Sequence, residues 1–426
     1  MKIAIFTTFL GFDEAYSLCN VVADQISMFK RSGYDPVVVV GKDFKKVGVF
    51  EDVETREMPR VQLDNDGKLN DNYQVEIDLM TEALRKIFND IDVVLSHDVI
   101  YQPAHLIHNV AARTIAEEMP NIRWLHWIHS ATSPRVLCNK TEVHDIIAKP
   151  FPNSYICYPN EGDRERVASN FKFNVNDVKV IPHPIDIPKY FGFSKLTEEF
   201  VDKYDLLKQE VLMLYPCRLD RGKQPEANIK LTAAFNRIGM KAKMVVADFH
   251  STGGDKVTYR NELKKTAETL HLTQQDVIFT SDFNDSTKTS IPRSMVRDLF
   301  QISNVFLLPS VSETYSLVAQ EAAMCSNVVV LNYDFLPMKS IYGYDPHYFK
   351  FNSDMDLMSG TNGSTITRWD NEDYYYNGMA FSIKNELVNN RVVHLKDKIR
   401  LERSLDAVFK NHIEPLIFAQ VKPNEV

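Results

Sequence analysis

Short apolar runs alternate along the chain with longer stretches in which apolar positions recur every three or four residues. The runs "KIAIFTTF", "PVVVVG", "DVVLSH", "IRWLHWIH", "SYICYP" and "VKVIPHP" are rich in Val and Ile. They have the length and continuity of strands buried on both faces. Between them lie helical patterns such as "EAYSLCNVVADQISMFKRSGY", which closes on Lys30, Arg31 and then Gly33 as a stop signal. The alternation starts again with "EVLMLYPCR", "KAKMVVADF", "DVIFTSDF", "NVFLLPS" and "NVVVLNYD". Strand alternating with helix, twice over, predicts an α/β protein with two doubly wound units, each built on a parallel sheet.

The join falls in "PHPIDIPKYFGFS", where three prolines within seven residues interrupt any regular element. Residues 1–186 are expected to form the first unit and 187–400 the second. The closing stretch 401–426 has helical spacing and is expected to cross back towards the first. A length of 426 residues agrees with two cores rather than one. In open sheets of this kind ligands bind outside the carboxyl ends of the strands, so two facing units are expected to enclose a cleft.

Composition narrows the class. Hydrophobic residues make up 44% and charged residues 25%, which is ordinary for a globular chain. No stretch approaches the roughly 18 apolar residues that a membrane span needs, so no integral membrane association is expected. The five cysteines, Cys19, Cys138, Cys157, Cys217 and Cys325, have no paired spacing, which fits reduced thiols in a cytoplasm. The net charge of −8 is uneven: residues 1–186 hold 20 Lys and Arg against 27 Asp and Glu, and residues 187–426 hold 29 against 30. That balance argues against a broad basic face for nucleic acid or anionic lipid.

The densest chemistry lies in "NVFLLPSVSETYSLVAQEAAMC". Pro309 and Ser310 close a strand, Glu313 falls in the loop, and Leu317 to Met324 reads as the next helix. A carboxylate near a helix N-terminus is stabilised by unsatisfied N–H groups and the helix dipole, by about 0.3–1 kcal/mol. Glu321 lies among Ala319, Ala322, Ala323 and Cys325, where a carboxylate needs hydroxyl or N–H partners. This stretch resembles the signature of family 4 retaining glycosyltransferases, with its two glutamates eight apart (E-x7-E). The family has a GT-B fold of two facing Rossmann-like domains with an interdomain cleft. Pro309, Ser310, Glu313, Leu317, Glu321, Ala322, Cys325, Val329 and Val330 match its pattern; Tyr315, Ser316, Ser326 and Val328 depart from it, the two serines replacing glycines. The resemblance implies that Glu313 holds hydroxyls of the transferred sugar and that Glu321 takes both ribose hydroxyls of the nucleotide. A carboxylate suits each role because it accepts two such bonds at once. The backbone amides of Tyr315, Ser316 and Leu317 would face sugar and phosphate.

A second match, "LYPCRLDRGKQPEANIKLTAAF", places Arg218 and Lys223 where the family holds the donor diphosphate. Fixed cations there stabilise charge that accumulates on the leaving phosphate. Taken alone the pair reads equally well as two solvated cations. The family's G-x-G turn is replaced by Ala247, Asp248 and Phe249, and Phe279 to Asp282 are expected near the nucleobase. In the first unit, "IRWLHWIHSATSPR" brings a strand to His129, where the family has a histidine facing the sugar; His126 is the less favoured partner in the same run. His97 and Asp98 end another strand, a weaker candidate for acceptor contact. Gly11 is the sole glycine in the loop after the first strand, a poor match to the Gly-rich phosphate loop of many family members. "VKVIPHPIDIPKYF" resembles the family's interdomain hinge, keeping Asp186 and Phe191.

The resemblance therefore implies a retaining, metal-independent transferase that moves a sugar from a nucleotide-diphosphate donor, a UDP-sugar first, to an acceptor hydroxyl. No cofactor is expected beyond that co-substrate. His129, Glu313, Arg218 and Lys223 would act at the reacting centre, with Arg218, Lys223, Tyr315, Ser316, Leu317, Glu321 and Gly11 binding the donor. The acceptor stays open: glycan, small molecule or modified DNA. A DNA-modifying transferase acting on a hydroxymethylated pyrimidine is one alternative, with Lys42, Lys45 and Lys46 as its basic stretch. A non-catalytic sugar-nucleotide binding protein is another, prompted by Ser316 and Ser326.

Overall fold

A computed structural model describes residues 1–61, 71–99, 102–130, 149, 151–249, 256–311, 313–351 and 371–420. The chain divides into two compact units, Met1–Asp186 with Arg403–Val426, and Ile187–Glu402.

In the first unit seven parallel strands lie in one sheet: β1 (Ile3–Phe6), β2 (Val37–Gly41), β3 (Glu54–Met58), β4 (Val93–His97), β5 (Arg123–Trp127), β6 (Ser154–Tyr158) and β7 (Val178–Val180). Their order is β3-β2-β1-β4-β5-β6-β7. Successive side chains of a strand point to opposite faces, and here both faces are apolar. Ala4, Phe6, Val37, Val39, Val94 and Trp124 pack on one side with the helices Tyr73–Ile87 and Leu106–Glu118. Ile3, Ile5, Val38, Val40, Leu95 and Trp127 pack on the other with the helix Ser17–Arg31 and with Leu405, Val408, Phe409 and Ile413 from the end of the chain.

The C-terminal stretch departs from the single helix expected over 401–426. A helix Arg391–Arg403 ends where Ser404 turns extended and pairs with Ile185; a short helix Leu405–Val408, a π-helical turn Phe409–Ile413 and Glu414–Ile417 follow. Buried Arg123 fixes this end on the first sheet, donating to the carbonyls of Leu416 at 3.4 Å, Ala419 at 3.1 Å and Gln420 at 2.8 Å.

The second unit holds β8 (Val211–Arg218), β9 (Ala242–Phe249), β10 (Val277–Phe279), β11 (Val305–Leu308), β12 (Val328–Asn332) and β13 (His347–Phe349), in the order β10-β9-β8-β11-β12-β13. All are parallel. Both units are thus Rossmann-like doubly wound sheets. Each order reverses once, between β1 and β4 and between β8 and β11, and at such a reversal the loops leave in opposite directions and open a crevice. Two strands escape the hydrophobic pattern. β3 reads "ETREM", with Glu54 and Arg56 ion-paired at 2.8 Å, and β13 is three partly exposed residues. Both are edge strands, which are kept short or charged because an unpaired apolar edge invites aggregation.

Buried Asn304 pins the start of β8 and β11. Its Oδ1 accepts from Leu212 N at 2.9 Å, and its Nδ2 donates to Glu210 O and to Asp397 Oδ2, both at 2.7 Å. Asn304→Ala removes the partner of the buried Leu212 N–H and of one oxygen of Asp397, whose other oxygen keeps Arg400, so urea unfolding of the second unit is expected to show a loss of about 2 kcal/mol. Ser326 offers the opposite sign. It follows the helix Leu317–Met324 at φ 57°, with Ser326 N donating to Ala323 O at 3.0 Å and Asn327 N to Ala322 O at 3.1 Å. That is the paired cap in which glycine normally occupies the left-handed position. Ser326→Gly is expected to raise stability by about 1 kcal/mol, read as a higher melting temperature.

Candidate functional site

The reversal in the second unit brings the end of β8 beside the end of β11. After β8 the chain makes a tight turn at Arg221–Lys223, and after β11 it runs through Pro309, Ser310 and Val311. The two loops are bonded to each other. Gly222 O accepts from Val311 N at 3.0 Å and from Ser310 Oγ at 3.2 Å, and Gln224 Nε2 donates to Pro309 O at 3.0 Å. Tyr215 OH holds Lys223 O at 2.6 Å. Within this frame Lys223 Nζ meets Glu313 Oε1 at 2.5 Å, both side chains 15% exposed. Ninety residues of sequence separate these two candidates, and the fold makes them an ion pair.

Glu321 lies on a different surface, the wall of a cavity of about 710 Å³. Pro216, Asp248, Phe249, Ile291, Leu317 and Glu321 are among its lining residues. That volume is in the range of small-molecule sites, about 300–1,000 Å³. Glu321 Oε1 accepts from Arg293 Nη2 at 2.6 Å and Nε at 3.2 Å, with the Arg293 side chain 86% exposed. Arg293 and the Thr289–Ile291 loop escaped sequence reading. They lie before and at the start of the helix Arg293–Ile302, in a stretch with no distinctive motif, and only the fold sets them against Glu321. Leu317 opens the helix Leu317–Met324 at the cavity wall. Ser316 before it is left-handed at φ 63°, and its carbonyl accepts from Tyr342 OH at 2.8 Å. Tyr315 is half exposed, its hydroxyl accepting from Gln320 Nε2 at 2.8 Å.

Arg218, Lys223 and Glu313 are not among the cavity's lining residues. Lys223 and Glu313 meet as an ion pair, and Glu321 lines the cavity. Arg218 is the last residue of β8, half exposed, with Nε 3.3 Å from Asp220 Oδ2. It follows Pro216 by two residues, so the strand's period of two sets it on the side that carries Pro216 at the cavity.

Phe279 to Asp282 are also absent from the lining. They stand behind Asp248, which is on the wall. Thr280 Oγ1 donates to Asp248 Oδ1 at 3.2 Å, Ser281 N to Oδ1 at 3.0 Å and Ser281 Oγ to Oδ2 at 2.6 Å. Three donors satisfy a buried carboxylate that would otherwise be costly, so this segment positions the wall rather than forming it.

In the first unit, His129 follows β5, whose neighbour β4 ends at His97. Its N–H donates to Asp98 Oδ1 at 3.1 Å, and its Nε2 is 3.1 Å from His97 Nδ1. Asp98 is left-handed at φ 59°. His183 lies nearly parallel to His129, ring centres 5.4 Å apart and planes 12° apart. Burial pushes His129 and His183 down to about 4 and His97 well below the ordinary imidazole value, so all three are neutral near pH 7. His126 is a core histidine, its Nδ1 2.7 Å from Ser96 Oγ. Gly11 pairs with Lys45 in an isolated bridge and has open space where a side chain would begin, so no close approach demands glycine there. Of the lysines in "GKDFKKVG", Lys46 donates to Val53 O at 2.9 Å.

The buried imidazoles give the first unit a pH signature. His105, His129 and His183 fall to about 4 and His108 to about 3, all chiefly through burial. Between the unfolded value near 6.5 and these folded values the unfolded chain binds more protons, so stability rises with pH in that window and is lost as pH falls from about 6.5 to 4. Denaturation midpoints measured from pH 7 to pH 4.5 are expected to drop steadily, and His183→Gln to flatten the slope.

Residues 197–343 match the family model described as glycosyl transferases group 1, about a third of the chain and the part that holds Arg218, Lys223, Glu313 and Glu321. No curated protein matches the chain. Among solved structures it is similar to a glycosyltransferase from Rickettsia africae, at 13% identity over 97% of both chains with a TM-score of 0.36. It is also similar to Anabaena HepE in complex with UDP, at 14% identity over 98% of this chain and 99% of that one with a TM-score of 0.36. A trehalose-6-phosphate structure from E. coli bound with UDP-2-fluoro glucose gives 13% identity over 99% and 100%, with a TM-score of 0.37. The match over residues 197–343, in a unit whose own sheet is Rossmann-like, supports glycosyltransferase as the enzyme class.

Proposed function

We propose that the protein is a retaining glycosyltransferase that moves a sugar from a nucleotide-diphosphate donor to an acceptor hydroxyl without a metal ion. The observation that carries this reading is the Lys223–Glu313 pair at the β8/β11 reversal, with Glu321 on the cavity wall beyond it. The Glu321 carboxylate suits ribose: Arg293 engages Oε1, and a pair this exposed is weak enough for two hydroxyls to displace. Lys223, with Arg218 beside Asp220 at the end of β8, would neutralise the diphosphate as the glycosidic bond lengthens. That is the role otherwise given to a divalent cation. Glu313 would then exchange its ammonium partner for sugar hydroxyls, and the amides at Ser316 and Leu317 would add N–H donors at a helix start.

Transfer breaks the bond from the anomeric carbon to the phosphate oxygen and forms one to the acceptor oxygen on the same face. The acceptor proton passes to the departing phosphate, so no protein base is required. His129 would orient the sugar as a neutral imidazole. A UDP-sugar is the first donor to try, and a cytoplasmic setting fits the free thiols of Cys19, Cys157, Cys217 and Cys325. Among the described residues no helix is long and apolar enough to cross a membrane.

The test is a panel of labelled nucleotide sugars offered with glycans, small hydroxyl acceptors, and DNA with and without hydroxymethylated pyrimidines. Label on an acceptor supports the reading, and the retained anomer supports its stereochemistry. Tight nucleotide binding with neither transfer nor donor hydrolysis would overturn it in favour of a binding protein. Lys223→Met is expected to lower kcat about 100-fold or more. Glu321→Ala is expected to weaken donor binding about 10- to 100-fold with a smaller change in kcat, and Glu313→Gln chiefly to lower kcat. Unchanged kinetics in all three variants would remove these roles.

A further inference from the structure

The imidazole of His129 ends a chain of hydrogen bonds that begins deep in the first unit. Gln25 is fully buried in the helix Ser17–Arg31, and its Oε1 lies 2.8 Å from His97 Nε2. His97 Nδ1 lies 3.1 Å from His129 Nε2. A neutral imidazole carries one N–H donor and one lone-pair acceptor, and an amide oxygen only accepts. Each link therefore fixes the next. Gln25 Oε1 requires the proton on His97 Nε2, which leaves His97 Nδ1 as an acceptor. That acceptor requires the proton on His129 Nε2, which leaves His129 Nδ1 as a lone pair. Nothing among the described residues bonds to that nitrogen.

The ring orientation is fixed as well. Asp98 holds the backbone of His129, and His183 covers one side of the ring with planes 12° apart. His183 is backed by Trp127, with centres 5.9 Å apart and planes 19° apart, and Trp127 also lies near-parallel to His97 at 6.1 Å.

We propose that Gln25 and His97 are positioning residues that set the tautomer of His129, so that it presents an unprotonated Nδ1 as a hydrogen-bond acceptor. The preferred partner is then a sugar bearing a free hydroxyl at the contacted position. A carboxylate, a phosphate oxygen or an amide carbonyl needs an N–H there and is disfavoured. The choice of sugar rests on the transferase reading; the tautomer does not.

The test separates the two. Nitrogen-15 long-range correlation spectra of the histidine-labelled full chain at pH 7.5, with the His129 signals assigned by their loss in His129→Asn, report the tautomer without donor or turnover. The expected result is a protonated Nε2 and an unprotonated Nδ1 on His129. Gln25→Glu, which keeps the acceptor oxygen, is expected to leave that pattern in place, whereas Gln25→Met is expected to produce a tautomer mixture. In transfer assays Gln25→Met should lower kcat about tenfold, the equivalent of one hydrogen bond, with donor KM unchanged. A His129 found protonated on Nδ1 in the unaltered protein overturns the inference, whether or not any variant folds. So does a Gln25→Met protein with the tautomer unmoved. Absence of transfer alongside the expected tautomer counts against the proposed function and leaves the relay standing.

Discussion

The site in the second unit depends on one set of bonds, those between the loop after β8 and the loop after β11. Gly222 O takes two donors from the 309–311 segment, and Gln224 reaches back to Pro309 O. The order of this sheet reverses once, between β8 and β11, and at that reversal the loops leave towards opposite faces. Here they are tied together, which holds Lys223 against Glu313 and starts the helix that carries Glu321. In the first unit the parallel pairing of β4 with β5, next to the reversal, sets His97 and His129 at the ends of neighbouring strands. Both candidate regions are consequences of strand order before they are consequences of side chains.

Charge at the second site is held in complementary pairs. Lys223 with Glu313, and Arg293 with Glu321, are complementary pairs, the first 15% exposed on both members and the second largely exposed at the arginine. Each pair compensates its own charge in the free protein. The first unit follows another rule. His97 and His129 are neutral near pH 7 and joined ring to ring, with His97 joined to the Gln25 amide, so hydrogen bonds and not charges link them.

The two serine departures from the glycosyltransferase pattern acquire a common explanation. Ser316 and Ser326 both stand at left-handed backbone positions, φ 63° and 57°, where glycine has no steric cost. The backbone course is retained despite the serines: one position opens the helix Leu317–Met324 and the other caps it. At both positions the cost falls on the backbone, which holds a serine where glycine is free of strain. Loss of glycine therefore does not by itself argue for loss of the site.

Much was determined by the sequence alone: the strands of both sheets' interiors, because continuous Val and Ile runs leave a buried parallel strand as their simplest solution, and the start of the helix at Leu317, because Glu313 and the serine break precede it. The motif residues Arg218, Lys223, Glu313 and Glu321 were legible as types at spacings. Tertiary structure decided the rest. Edge strands β3 and β13 carry no apolar signal; Phe279 to Asp282 turn out to brace Asp248 rather than line the cavity; and Arg293 becomes a neighbour of Glu321 only when helix Arg293–Ile302 packs beside it. The Gln25–His97–His129 chain joins one helix residue, a strand end and a loop, and no local pattern encodes it. Hydrophobic periodicity is a local property that a sequence displays directly, whereas a hydrogen-bond partner is a coincidence of distant backbone positions that only the packed sheet brings about.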